Sequence, residues 1–90
     1  MEGLRLTTPL LKLLRMFLAD PTSRYWGFEI MKATGLASGT VYPLLARLER
    51  MEWLESGWDD EQHVSGPRRR YYRLTHEGLA SARVAVAEAN

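Results

Sequence analysis

A short helical stretch, a glycine turn and a longer helical stretch constrain this chain more than anything else in it. The first stretch spans Trp26 or Gly27 to Thr34, with Phe28, Ile30 and Met31 as its buried side and Gly35 as its C-cap. Gly35-Leu36-Ala37 makes a tight turn, and Ser38 stands as the N-cap of the next helix, which runs to about Met51. Val41, Leu44, Leu45, Leu48 and Met51 recur at helical spacing and form its apolar stripe. Thr40, Tyr42, Pro43, Ala46, Arg47 and Arg50 are left on the other side. Two helices joined this way form a helix-turn-helix, whose second helix presents its N-terminal residues to base edges.

The flanking segments complete a small, mainly helical domain. Thr8-Pro9 reads as a helix start, with Leu10, Leu11, Leu13, Leu14, Phe17 and Leu18 on one face, and Asp20-Pro21 as its end. Beyond Met51, Trp53–Trp58 and Arg69–Leu74 read as two strands of a hairpin around a polar loop, with Tyr72 and Leu74 turned inward. Thr75 caps a last helix from His76, in which Leu79, Ala82, Val86 and Ala89 follow the spacing of a helix-pairing seam. The expected fold is mainly α with a small β-hairpin. Residues 1–75 make a winged helix-turn-helix, and residues 76–90 a C-terminal dimerisation helix.

Composition narrows the function. Ninety residues bury only about 60–65% of the surface of the unfolded chain, so a core this small favours a dimer. With no cysteine there is neither a disulfide nor a thiolate metal site. The net charge of +1 is unremarkable, but its distribution is not: Asp59, Asp60 and Glu61 precede Arg68, Arg69, Arg70 and Arg73. Arg24, Lys32, Arg47 and Arg50 supply further cations from the middle of the chain. His63 beside the acidic run has the composition of an ordinary loop and lacks a second histidine or a thiol, so no metal is expected. Ser38 and Ser65 have no histidine at motif spacing, and no glycine-rich phosphate loop occurs; the chain is not expected to be an enzyme or to hold a cofactor. No apolar run approaches the roughly 18–20 residues that cross a bilayer. Leu10 to Leu18 is interrupted by Lys12 and Arg15, so a cytoplasmic protein without a membrane partner is expected.

The candidate DNA-contacting residues follow. Ser38, Thr40 and Tyr42 carry hydroxyls that donate or accept, Gly39 removes bulk beside them, and Pro43 and Arg47 lie further along the same helix. Gly66-Pro67 turns the hairpin and aims Arg68, Arg69 and Arg70 at a phosphate backbone, Arg70 being the odd one because it shares a strand face with Tyr72 and Leu74. Trp26, Trp53 and Trp58 are hydrophobic staples or the lining of an aromatic ligand pocket. The competing reading is a winged-helix module that docks another protein, which near-neutral charge and exposed aromatics would suit.

Three blocks carry a family resemblance: Tyr25-Trp26-Gly27-Phe28-Glu29-Ile30, the run Leu36 to Glu49, and Gly66 to Gly78 with its Pro67-Arg68-Arg69-Arg70-Tyr71-Tyr72 core. From near Thr8 to near Ala80 the chain resembles the PadR family of winged-helix transcriptional regulators. The resemblance implies a homodimeric repressor of an inverted-repeat operator, relieved by a small, often aromatic, effector. It places the recognition helix on Ser38 to Met51 and the wing on Trp53 to Leu74. Ser38, Thr40, Tyr42 and Pro43 match the DNA-facing motif, and Arg68 and Arg69 the wing. Family members usually carry a longer C-terminal helix than the roughly four turns, about 22–24 Å, that follow Thr75 here. Because that seam is mostly alanine and valine, dimerisation is expected to recruit Leu10 and Leu14 of the first helix as well.

Overall fold

The computed structural model describes residues 5–58 and 69–89. Four helices and three strands follow in the order α1 (Thr8–Ala19), β1 (Tyr25–Trp26), α2 (Gly27–Thr34), α3 (Ser38–Arg50), β2 (Leu54–Trp58), β3 (Arg70–Leu74) and α4 (His76–Ala89). The fold is mainly helical, with a small antiparallel sheet in the order β1-β3-β2. A winged helix is the result.

Local chemistry explains most boundaries. Thr7, not Thr8, caps α1: its hydroxyl accepts from the Leu10 N–H at 3.3 Å, which places Thr8 and Pro9 inside the first turn. The proline costs nothing there, since those N–H groups have no intrahelical acceptor. Asp20, before Pro21, ends the helix with φ −147° and ψ 80°. Gly35 closes α2 in the left-handed region at φ 75°, its N–H donating to Met31 O at 2.8 Å. Ala37, not Ser38, is the N-cap of α3, and no side chain caps that helix. Pro43 lies within α3 and removes the N–H that would pair with the Gly39 carbonyl.

One core joins all the helices to the sheet. Leu10, Leu13, Leu14 and Phe17 of α1, Ile30 of α2, Val41, Leu45 and Leu48 of α3, Leu54, Tyr72 and Leu74 of the sheet, and Ala82 and Ala85 of α4 are buried together. This corrects the expected dimer seam. Leu10, Leu14 and Ala82 are fully buried inside the protomer, and Leu79 and Val86 pack partly against the same core. The leucines of α1 belong to this core, where α1 packs on α2 and α4, so the exposed side of α4 runs instead through Arg83, Val84, Ala87 and the predicted Ala89.

Phe28 is a second correction, being 69% exposed rather than buried. At 100° per residue, Gly27, Ile30 and Thr34 share the buried side of α2, and Phe28 lies well off that stripe. The sheet also gains β1, hidden in the sequence because two residues show no alternation. It pairs Tyr25 with Tyr72 and Trp26 with Tyr71. Register then sorts the sheet into two faces. Tyr25, Leu54, Ser56, Trp58, Arg70, Tyr72 and Leu74 lie on the side that packs on the helices. Trp26, Glu55, Gly57, Tyr71 and Arg73 lie on the other.

Thr75 stitches the end of the sheet to α4. Its hydroxyl donates to Glu52 O at 2.7 Å and accepts from the Gly78 N–H at 2.8 Å. The first contact holds Glu52, which turns the chain into β2 with a positive φ of 65°. Thr75→Ala is expected to cost about 1–2 kcal/mol, as lost caps do, whereas Thr75→Ser should leave stability close to the parent's. Urea unfolding of the three proteins checks this, and equal losses for Ala and Ser would remove the hydroxyl from the account.

Candidate nucleic-acid interface

Helix α3 is two-sided. Val41, Leu45 and Leu48 are fully buried, which forces the intervening positions outward. Ser38, Gly39, Tyr42, Pro43, Ala46, Arg47 and Arg50 are exposed, and Thr40 sits half-buried at the margin. A Cβ at Gly39 would meet nothing within 4 Å, so the first turn is open to close approach. Without a side-chain cap, the Ser38 and Gly39 N–H groups also point outward from the positive end of the helix dipole.

Tyr42 is placed by α2. A side chain at Gly27 would overlap the Tyr42 hydroxyl, so the glycine makes room for the phenol to lie across the start of α2. Tyr42 remains 43% exposed. Around it Trp26, Phe28, Glu29, Lys32, Ala33, Arg69 and Arg70 line a groove of about 770 Å³. Phe28 and Lys32 stand four residues apart on one face of α2, and both line this groove. The Glu29 carboxylate accepts the Trp26 N–H at 3.0 Å, and the buried Trp26 Nε1 meets no acceptor among the described residues.

The three tryptophans of the predicted pocket do not come together. Trp26 lines the groove; Trp53 is only 8% exposed and packs at the end of the core; Trp58 is 46% exposed at the far end of β2. Each has been claimed by a different neighbour. Trp26 lies under the Arg69 guanidinium at 4.8 Å, Trp58 lies under that of Arg70 at 5.3 Å, and the Trp53 carbonyl accepts the Thr75 N–H at 3.0 Å.

The arginines divide by strand face. Arg69 is exposed beside Trp26, at the edge of the groove. Arg70 also borders the groove but leaves the opposite strand face and reaches α3, where Nη2 meets Glu49 Oε2 at 3.2 Å and Ser56 Oγ at 2.7 Å. In this arrangement the guanidinium expected to reach phosphate is engaged within the protomer, with 40% of its side chain exposed. Arg73 is likewise held by Glu55, with Nε and Nη2 at 2.9 and 2.6 Å from Oε2. Burial holds the Tyr72 phenol above the ordinary tyrosine value, so it remains a neutral part of the core. Gly66 and Arg68, together with Asp59, Asp60, Glu61 and His63, lie outside the described residues.

No group of three or more metal-ligating side chains occurs among the described residues, and none of their helices is long and apolar enough to cross a membrane. Comparison with known proteins identifies the arrangement. The model of the Transcriptional regulator PadR-like family matches residues 19–84. No curated protein matches the chain. Among solved structures, a PadR family transcription regulator from Clostridium difficile R20291 is 31% identical with a TM-score of 0.70, covering 87% of this chain and 84% of its own. A padr family transcriptional regulator from Eggerthella lenta DSM 2243 is 30% identical with a TM-score of 0.70, covering 86% of this chain and 70% of its own. A PadR-like transcription factor from Bacteroides fragilis, at 24% identity, has the same fold, with a TM-score of 0.73 over 88% of this chain and 77% of its own. The match takes in α2, α3, the sheet and most of α4, and its matched length is well over half of the chain: the protein belongs to the PadR-like family of transcriptional regulators, which are not enzymes.

Proposed function

We propose that the protein is a sequence-specific repressor that binds an inverted-repeat operator as a homodimer in the cytoplasm. The observation that carries this reading is the two-sided α3, which buries Val41, Leu45 and Leu48 and turns Ser38, Gly39, Tyr42, Pro43 and Arg47 outward. With α3 in the major groove, the hydroxyls of Ser38, Thr40 and Tyr42 read base edges, and Arg47 and Arg69 reach phosphates. Arg68 and Gly66, outside the described residues, are further proposed contacts to the DNA backbone. Two copies with recognition helices about 34 Å apart would read half-sites one helical turn apart. The second copy is placed on the exposed side of α4, around Arg83, Val84, Ala87 and Ala89.

An aromatic effector would sit in the groove of Trp26, Phe28 and Tyr42 rather than among all three tryptophans. There it would contact Tyr42 and Arg69 and compete with DNA directly. A related structure, the PcaV transcriptional regulator from Streptomyces coelicolor, was solved in complex with its natural ligand.

Fluorescence anisotropy with the DNA upstream of the protein's own gene and a scrambled duplex, each at two salt concentrations, tests the reading. Tight, salt-steepened binding that prefers the upstream DNA is expected. Weak binding to both, indifferent to salt, would favour a protein-docking module instead. Arg47→Ala should weaken both duplexes alike and flatten the salt slope by about 0.9, the value for one lost phosphate contact. An unchanged slope would take Arg47 off the backbone.

A further inference from the structure

Arg70 borders the groove around Tyr42, yet it leaves its strand on the face opposite to that of Arg69. Register fixes this: Arg70 lies opposite Trp58 and two residues from Tyr72, on the sheet face that packs on the helices. Near α3 a cation needs an anion, and Glu49 supplies it from the last full turn of the recognition helix. Glu49 Oε2 accepts from Ser56 Oγ at 2.5 Å and from Arg70 Nη2 at 3.2 Å, and Arg70 Nη2 also donates to Ser56 Oγ at 2.7 Å. Glu49, Ser56 and Arg70 come from α3, β2 and β3, so one carboxylate oxygen ties the recognition helix to both strands of the wing. Trp58 and Tyr72 flank the same guanidinium at 5.3 and 6.0 Å. The side chains of Arg70 and Glu49 are 40% and 34% exposed, so the tie stands at the surface, within reach of solvent and of a bound duplex.

We infer that Glu49 is a positioning residue for DNA recognition: it sets the wing against the recognition helix and withholds Arg70 from the phosphate backbone. This rests on the DNA-binding reading above. Arg70 released from Glu49 would stand at the edge of the interface as a mobile cation and would take a phosphate wherever one came near. The protein would then bind more DNA and discriminate less. Exposed ion pairs contribute little to stability, so the effect lies in where the arginine points.

The test is a double-mutant cycle read as salt slopes on the scrambled duplex, with preference for upstream over scrambled DNA measured alongside. Glu49→Gln keeps an oxygen for Ser56 but removes the charge that holds Arg70. It is expected to steepen the slope by about 0.9, so that the ratio of affinities at 50 and 200 mM salt grows about threefold, while preference for the upstream DNA falls. Arg70→Ala should leave the parent slope unchanged, and Glu49→Gln in the Arg70→Ala background should add nothing. Thermal unfolding of each variant confirms that it is folded. A slope flattened by Arg70→Ala would show that Arg70 already meets DNA and would overturn the inference. So would an unmoved slope in Glu49→Gln, or an equal steepening without Arg70, which would mark a through-space charge effect. A parent protein with no salt-dependent binding would instead overturn the DNA reading itself, and this inference with it.

Discussion

Gly78→Ala is expected to destabilise the protein by about 3 kcal/mol, near the upper end for overpacking, and to lower its Tm by roughly 12–24 °C for a domain of this size. The sign is the informative part. Gly78 lies in the first turn of α4, and replacing a helical glycine by alanine ordinarily stabilises by about 0.8–1.0 kcal/mol. Here a Cβ would overlap the Trp53 carbonyl oxygen and come within 2.7 Å of the Trp53 Cα. Both are backbone atoms, so no rotamer change relieves the clash. The same carbonyl accepts the Thr75 N–H at 3.0 Å, and the Gly78 N–H is held by the Thr75 hydroxyl at 2.8 Å, so α4 cannot slide away without breaking its own cap. Thermal and urea unfolding measure the loss, with Ala80→Gly as the ordinary control on an exposed face of α4. A gain in stability from Gly78→Ala would mean that α4 does not approach the Trp53 backbone so closely.

How much of this was legible in the sequence depends on how far each signal reaches. The turn at Gly35 was legible because left-handed backbone selects glycine locally, and the stripe of α3 because burial of Val41, Leu45 and Leu48 repeats every three or four residues. The two strands around the wing were legible within one residue at their N-terminal ends, Trp53 against Leu54 and Arg69 against Arg70. Shorter signals failed. Thr7 and Thr8 are equally good caps on paper, and only the path of the chain decides between them. Strand β1 has two residues and exists because Tyr71 and Tyr72 offer it an edge, a long-range fact. Burial of Leu10 and Leu14 looked surplus for one side of a helix because α2 and α4 were not yet packed against it. At the site, Phe28 misled because apolar character suggests burial, whereas its position off the α2 stripe points outward. The period-two face of β3 did set Arg70 apart from Arg69, but its partner Glu49 lies 21 residues away and no local pattern connects them.

Tyr42→Ala is expected to reduce preference for the upstream DNA over a scrambled duplex by about tenfold, within the 1–3 kcal/mol that one base pair's recognition commonly carries. The salt slope should stay that of the parent, because a neutral side chain releases no counterion. Loss of packing is the competing explanation, since the phenol lies across Gly27, and the glycine supplies the control. Gly27→Ala would overlap the Tyr42 hydroxyl and lie 2.8 Å from its Cζ, atoms at the movable end of a side chain rather than in the backbone. The ring can swing out into the groove beside Phe28 and Lys32, so the fold should survive while the hydroxyl leaves its place. Gly27→Ala is therefore expected to mimic Tyr42→Ala in operator preference with little change in Tm. Tyr42→Phe, which keeps the ring and loses only the hydroxyl, separates a hydrogen bond to a base edge from ring contact with a thymine methyl. Anisotropy titrations of the three variants against both duplexes read the outcome. Should Gly27→Ala retain full preference while Tyr42→Ala loses it, the ring would be reading DNA from a position other than the one Gly27 opens for it. Should all three retain it, recognition would pass to Ser38 and Thr40 in the first turn of α3.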